Sequence, residues 1–449
     1  MILISYLKRN SLWVGVATAI ILLLIFLQIM YGHLLFVPTL REGFIGTYQE
    51  HDIPNEVTKL VSKGLVEVDS EGKVKPLLVV GWETNNDATI FKFKLKDNLF
   101  WSDGSLLKAP DLEINVPSAE ITYPDDKTVQ FKLKESYSPF PSLLTKPVFK
   151  KGTTIGIGPY KISKIERSRI FITKIELDPI EKGFPKVFIR FYPTEKVAVT
   201  GFNLGEVEVL LGVNSTTIDN NPQVKLKQKV DFSKIVTILY HTKDALLSNR
   251  SLRQALSFSA PSIEGEEVAD NPYPSSWWAY DPNAKKYLSN AEEAKEALKR
   301  AQDALPKEKL ADELILISTP NLEGIAKKIV SEWSQLGFDV KLRLESGIPQ
   351  NFQALLITQS IPHDPDQYFL WHSSQEKTNL TEYSQARVDK DLEDGRKAIS
   401  EEDRKEKYFD FQKTLLEDSP ATFLYFPKYN VVYLKKVEKM LDTILPIQL

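Results

Sequence analysis

The run from Ser360 to His372 concentrates the side chains best suited to holding a small molecule: His363, Asp364, Asp366, Tyr368, Trp371 and His372. An ionised aspartate pairs with a ligand ammonium through a charge-assisted hydrogen bond, which strengthens as water leaves a closing cleft. The Asp-Pro-Asp sequence has a second reading, since such residues also cap helices and close turns. Both readings stand for Asp364, whereas Asp366 is expected to cap. His363 and His372 raise metal binding, but a spacing of nine residues sets no ligand geometry and the chain has no cysteine. No metal and no cofactor are expected. Trp277 and Trp278 offer flat faces either for stacking on a ligand or for packing their own loop. Tyr48 and Glu50, just after the expected first strand, make a second candidate margin. Neither a Gly-x-Ser-x-Gly elbow nor a His-Glu-x-x-His pair is present, so no catalytic residue is assigned and the chain is not expected to be an enzyme.

These side chains need elements to position them, and the periodicity supplies two kinds. Phe91, Phe93 and Leu95 alternate with Lys92, Lys94 and Lys96, and Val129, Phe131 and Leu133 alternate with Gln130, Lys132 and Lys134. Period two marks strands with one wet face, and the two runs are expected to lie in one sheet. Asp103-Gly104 supplies a tight turn. Further on the period changes. Ala294, Leu298, Ala301 and Leu305 follow an Asn290 cap, and Ile325, Ile329, Trp333 and Leu336 run up to Gly337. Both sets predict amphipathic helices. A short strand, 340–344, follows, and Ser400 with Asp403 caps a third helix carrying Tyr408, Phe411 and Leu415. Alternating strands and helices predict an α/β lobe. The segment 261–282, with its prolines and paired tryptophans, reads as an ordered surface loop.

The length of 449 residues exceeds one ordinary core, and a net charge of −3 provides no basic field for nucleic acid. Between Arg9 and Arg41 there is no charged side chain, and 12–30 is almost wholly apolar. About 20 such residues at ~1.5 Å rise span a hydrocarbon core, and Lys8 and Arg9 place the N-terminus in the cytoplasm. The expected organisation is a cytoplasmic 1–10, a transmembrane anchor at 11–32, a strand-rich lobe I over 33–245, an α/β lobe II over 246–424, and a return strand and tail at 425–449. The body is then extracytoplasmic, on a single-pass tether, and monomeric.

Seven segments in order resemble the extracellular solute-binding proteins of family 5, which serve dipeptide, oligopeptide and nickel ABC importers. They are Lys63 to Glu83, Phe91 to Gly104, Gly156 to Tyr160, Leu204 to Val209, Arg250 to Ser257, His363 to Asp366, and Ser400 to Tyr425. The resemblance implies an α/β, bilobal, periplasmic-binding-protein-like fold of type II, with a hinge and an inter-lobe cleft, that closes on a peptide or similar small solute and docks on ABC permease subunits. An anchored interaction, signalling or envelope-assembly domain on the same fold, without import, is the alternative. This sequence departs from the family at two places. The stretch from Gly104 to Tyr123 is short, where members carry a helical accessory segment. The position that in dipeptide binders holds the ligand amine with an aspartate falls at Ile361.

Overall fold

The computed structural model describes residues 16, 18–23, 26, 38–214, 221–306 and 313–449. The expected anchor at 11–32 lies largely outside them, and among the described residues no helix is long and apolar enough to cross a membrane.

The chain divides into two compact units. The first comprises Met1–Val61, Gly158–Leu226 and Val431–Leu449, and the second Ser62–Ile157 and Lys227–Asn430. The division differs from the lobes expected at 33–245 and 246–424, because Ser62–Ile157 groups with the later residues. The chain passes the boundary four times, twice within the strands Val224–Val230 and Lys428–Leu434.

In the first unit a seven-stranded sheet runs in the order Tyr160–Ser168, Phe171–Pro179, Lys186–Tyr192, Thr39–Ile45, Val209–Leu211, Lys428–Leu434, Val224–Val230. Thr39–Ile45 lies parallel to both its neighbours. Helix Glu195–Asn203 covers one apolar cluster through Ala198 and Phe202, beside Tyr192, Val207 and Leu210. Helix Asn55–Val61 lies against the C-terminal helix Glu438–Gln448, which buries Leu441 and Ile444. That last helix was expected to be a tail. Pro446 inside it reads as a breaker, because proline removes one intrahelical hydrogen bond. The edge strand Val224–Val230 exposes Lys225, which blunts the edge against pairing with another chain.

The second unit contains two sheets that follow the sequence pattern. In the antiparallel four-stranded sheet Ile90–Leu95 pairs with Thr128–Leu133, setting Phe91 opposite Phe131 and Phe93 opposite Val129. Their inward rings close on Phe140 at 4.9 and 5.0 Å, while Lys92, Lys94 and Lys132 stay in water. Between Gly104 and Tyr123 the chain forms a 3-10 turn, Ala109–Asp111, and short strand segments, with no α-helix. The six-stranded sheet is buried on both faces, so Lys234–Tyr240 is apolar nearly throughout rather than alternating. Ile235 and Leu239 face the cluster with Val388, Leu392, Tyr408 and Phe411. Val236, Ile238 and Tyr240 face the cluster with Leu252, Ile329 and Trp333. The expected helices appear as Ala291–Ala304, Glu323–Gln335 and Glu401–Asp418. The first is capped by Asn290, the second is followed by Gly337 at φ +98°, and the third is capped by Ser400, which accepts from Asp403 N–H at 3.0 Å.

The segment 261–282 is a surface loop only in its first part: 261–268 keeps exposed surface, whereas the part that follows turns inward. Asn271, Pro272, Tyr273 and Pro274 are buried, and Gln412 holds the segment from below. Its Nε2 donates to Ala279 O at 2.7 Å and its Oε1 accepts from Asp281 N–H at 2.9 Å. Gln412→Leu leaves one buried donor and one buried acceptor without partners. It is expected to lower the stability of the second unit by about 2–4 kcal/mol, read by urea denaturation; a loss under about 0.5 kcal/mol would mean that water replaces the amide.

Candidate functional site: two arginine–aspartate pairs around Asp364 and Asp366

The strand Ala354–Ser360 ends at the sheet margin and delivers Ile361, buried, then His363, exposed. Proline at 365 and a side-chain bond fix the turn that follows. Asp364 Oδ1 accepts from Asp366 N–H at 2.9 Å, and Asp366 Oδ1 accepts from Tyr368 N–H at 3.2 Å, at the start of the short helix Tyr368–Trp371. Both are Asx-turn bonds to the residue two places on; the N-cap of the helix is Gln367, which makes no side-chain cap bond, so neither aspartate is the cap expected from the sequence.

Each carboxylate also pairs with an arginine lodged between two aromatic faces. Asp364 meets Arg404 of helix Glu401–Asp418 at 2.5 Å, the aspartate buried and the arginine side chain 11% exposed. The Arg404 guanidinium lies 5.3 Å from the Trp278 ring and 5.4 Å from that of Tyr408, and it donates to Tyr408 Oη at 3.0 Å and Gly395 O at 3.3 Å. Asp366 meets Arg396, the last turn of Ala386–Lys397, at 3.1 Å. Arg396 lies 4.2 Å from the Tyr368 ring and 4.8 Å from that of Tyr137. A cation over a ring face is drawn to its quadrupole, more so once desolvated. Burial raises Asp366 to about 6, with Arg396 opposing and Asp364 reinforcing the rise. Burial works against the Arg404 charge, but Asp364 and Tyr408 outweigh it and hold the guanidinium above its ordinary value. Burial, then Asp366 and Asp364, push the Tyr137 hydroxyl up.

The expected site residues separate into three groups. Asp364, Trp371 and Trp277 are buried. Trp371 Nε1 donates to Gln367 Oε1 at 2.8 Å, and Trp277 stacks on Tyr273 at 6.2 Å. Gly72 tolerates the Trp277 ring only because it lacks a Cβ, which would fall 2.8 Å from it. Tyr368, Trp278 and His363 keep exposed surface. Tyr368 stacks on His372 at 4.0 Å, and Trp278 donates through Nε1 to Gly72 O at 3.0 Å. Tyr48 and Glu50 belong to the first unit. The Tyr48 hydroxyl donates to Ile45 O at 2.7 Å, and Glu50 pairs with Arg167. His372 Nδ1 accepts from Ser374 N–H at 3.1 Å and Nε2 faces Glu393 at 3.2 Å. No group of three metal-ligating side chains occurs among the described residues. A separate depression of about 300 Å³ in the first unit, lined by Arg190, Tyr192, Val197, Leu204 and Glu206, includes none of the expected residues.

The residues missed from sequence are the two arginines and the rings of Tyr137, Tyr273 and Tyr408. One signal was available. Arg404, Tyr408 and Gln412 recur at intervals of four, a single helix face of large polar-tipped side chains pointing inward.

The chain forms two units, and the charges of Asp364 and Asp366 are paired within the second by Arg404 and Arg396. The match to known proteins is specific: residues 110–379 fit the model of the bacterial extracellular solute-binding proteins, family 5. The chain belongs to that family of solute-binding proteins. It is 22% identical to the probable D,D-dipeptide-binding periplasmic protein DdpA of Escherichia coli, over 84% of this chain and 82% of that one. To the oligopeptide-binding protein AppA of Bacillus subtilis it is 24% identical, over 89% and 86%. Among solved structures it is similar to NikZ of Campylobacter jejuni in complex with Ni(L-His), with a TM-score of 0.69 at 21% identity over 88% of this chain and 94% of that one. It is also similar in fold to B. subtilis AppA in complex with a nonapeptide, with a TM-score of 0.64 at 20% identity over 90% and 97%.

Proposed function

We propose that the chain captures peptides or peptide-like small solutes outside the cytoplasmic membrane, held there by residues 11–32, and delivers them to the permease subunits of an ABC importer. The observation that carries this reading is the near full-length similarity to proteins named as dipeptide- and oligopeptide-binding. His363, Tyr368 and Trp278 border the solute in this reading, while Asp364, Trp371 and Trp277 brace them from beneath; Tyr48 and Glu50 are the candidates on the first unit. The ligand ammonium is not held by Asp364 or Asp366, whose charges are already matched by Arg404 and Arg396.

One observation favours a second reading, an anchored interaction domain that takes part in no import. Both acids of the Asp-Pro-Asp turn are occupied from within, and Ile361 stands where a dipeptide binder carries its amine-holding acid. Thermal unfolding of the full-length chain against di- to octapeptides, nickel–histidine and oligosaccharides separates the two. A solute at about 100 times its Kd adds ~2.7 kcal/mol of stability. A rise with peptides supports capture; no rise with any class, together with recovery of an envelope protein partner by cross-linking, supports the second reading.

A further inference from the structure

Glu42 occupies the core-facing side of strand Thr39–Ile45, between Leu40 and Phe44, and has no exposed surface. Gln448, in the last turn of Glu438–Gln448, is equally buried, and its Nε2 donates to Glu42 Oε2 at 2.9 Å. Two buried atoms then remain without partners, Glu42 Oε1 and Gln448 Oε1. Both are acceptors, so an ionised carboxylate and a carboxamide cannot satisfy each other there, and exchanging the amide N and O only moves the conflict to Oε2.

Among the described residues, no cation forms an ion pair with the Glu42 carboxylate. From helix Asn55–Val61, Lys59 points its Nζ to Gln448 O at 3.5 Å. On Tyr160–Ser168, Tyr160 donates to Pro185 O at 2.8 Å and is held neutral by burial, with Glu42 adding to the effect. Arg41 and Lys436 are committed to Glu208 at 3.3 and 2.7 Å. On Lys186–Tyr192, Lys186 pairs with Asp178 and Arg190 with Glu206. Of the C-terminal helix's own charges, Glu438 accepts from Tyr433 Oη at 2.7 Å, and Lys439 and Asp442 are exposed. A single proton resolves the conflict. With Oε1 protonated, Glu42 donates to Gln448 Oε1 while Oε2 accepts from Nε2, and both side chains are satisfied.

We infer that Glu42 is carried protonated and closes a two-hydrogen-bond ring with Gln448, a latch that seats the C-terminal helix on the first strand and tightens in acid. Burial, opposed only in part by the Gln448 bond, raises the carboxyl from its ordinary 4.5 to about 7, in accord with that geometry. Because the folded value lies above the unfolded one, the contribution is complete below about pH 4.5 and is lost as pH rises towards about 7.

Glu42→Gln replaces the protonated acid by an amide that makes the same two bonds at every pH. Between pH 5.5 and 8.5, the urea unfolding constant of the full-length wild type is expected to rise relative to that of Glu42→Gln on the order of ten-fold or more. Asp366 and Asp391, both raised to about 6, titrate alike in the two proteins and cancel. Infrared spectra of [13C]glutamate-labelled wild type should show a carboxylic acid band at pH 5.5 that vanishes by pH 8.5. Identical pH slopes in the two proteins would overturn the latch. If Glu42→Gln does not fold, the same infrared titration of Gln448→Leu decides, because Glu266 is also raised by burial and contributes to the band in both proteins; a band and titration unchanged by Gln448→Leu overturn the latch.

Discussion

Asp364→Ala is expected to cost the second unit about 3–5 kcal/mol of stability, because it strands the Arg404 guanidinium in a buried site with its partner gone. Tyr408 Oη and Gly395 O still accept from Arg404, at 3.0 and 3.3 Å, but neither carries charge to balance it. The loss reports the uncompensated arginine rather than the net worth of the pair. Replacing both partners by apolar residues of similar size, Asp364→Leu with Arg404→Met, should therefore recover most of it, since buried ion pairs often break even against hydrophobic packing. Urea unfolding of the two single variants and the double variant measures this directly. A single-variant loss below about 1 kcal/mol would show that Arg404 escapes to water, and would return Asp364 to the list of acids available to a ligand ammonium.

This outcome bears on how the Asp-Pro-Asp turn was read. Its residue types and spacing fitted either an ammonium anchor or a helix cap, and nothing local could decide between them. The charge that meets Asp364 is that of Arg404, 40 residues away along the chain. A cation needs only a carboxylate and two ring faces. Asp364 with Trp278 and Tyr408, and Asp366 with Tyr137 and Tyr368, are two such sites, each filled by the protein's own arginine. The sequence reading named a ligand ammonium as the cation at this turn; the cations that meet these carboxylates in the structure are Arg404 and Arg396.

What was legible elsewhere follows the same rule. The paired strands Ile90–Leu95 and Thr128–Leu133 could be read because one face is wet and the other dry, which writes period two into the sequence. The caps at Asn290 and Ser400 could be read because a cap is local, spanning three residues. The grouping of Ser62–Ile157 with Lys227–Asn430 could not, because it depends on contacts such as Trp278 N–H to Glu71 O at 2.9 Å, between residues remote in sequence. Glu42 was invisible for a related reason. A lone acid between apolar residues reads as the wet face of a strand until a second layer, here Gln448, covers it.

Tyr408→Ala should cost about as much as the loss of Asp364, but by a different route. The ring is fully buried, with Tyr273 at 6.3 Å, Trp278 at 5.9 Å and the Gly395 backbone close enough that a Cβ there would fall 2.9 Å from it. Truncation empties that space, and removal of a large aromatic side chain from a core costs about 3–5 kcal/mol. Tyr408→Phe keeps the ring and deletes only the hydroxyl that accepts from Arg404 at 3.0 Å, so its cost should be about 1.5–3 kcal/mol, the range for a hydrogen bond to a charged group. The order Ala above Phe above wild type, read in urea, checks that packing and hydrogen bonding both act. The stricter test is the pair Asp364→Ala and Tyr408→Phe in one chain. Both changes act on the same guanidinium, and groups sharing a partner couple by about 0.5–3 kcal/mol. If Asp364→Ala lets Arg404 relax away from Tyr408, the second change removes a bond already lost, and the double variant falls short of the sum. Strict additivity would mean that Arg404 keeps its place after its counter-charge has gone, held by Trp278 and Gly395 alone, and that the carboxylate contributes charge but not position.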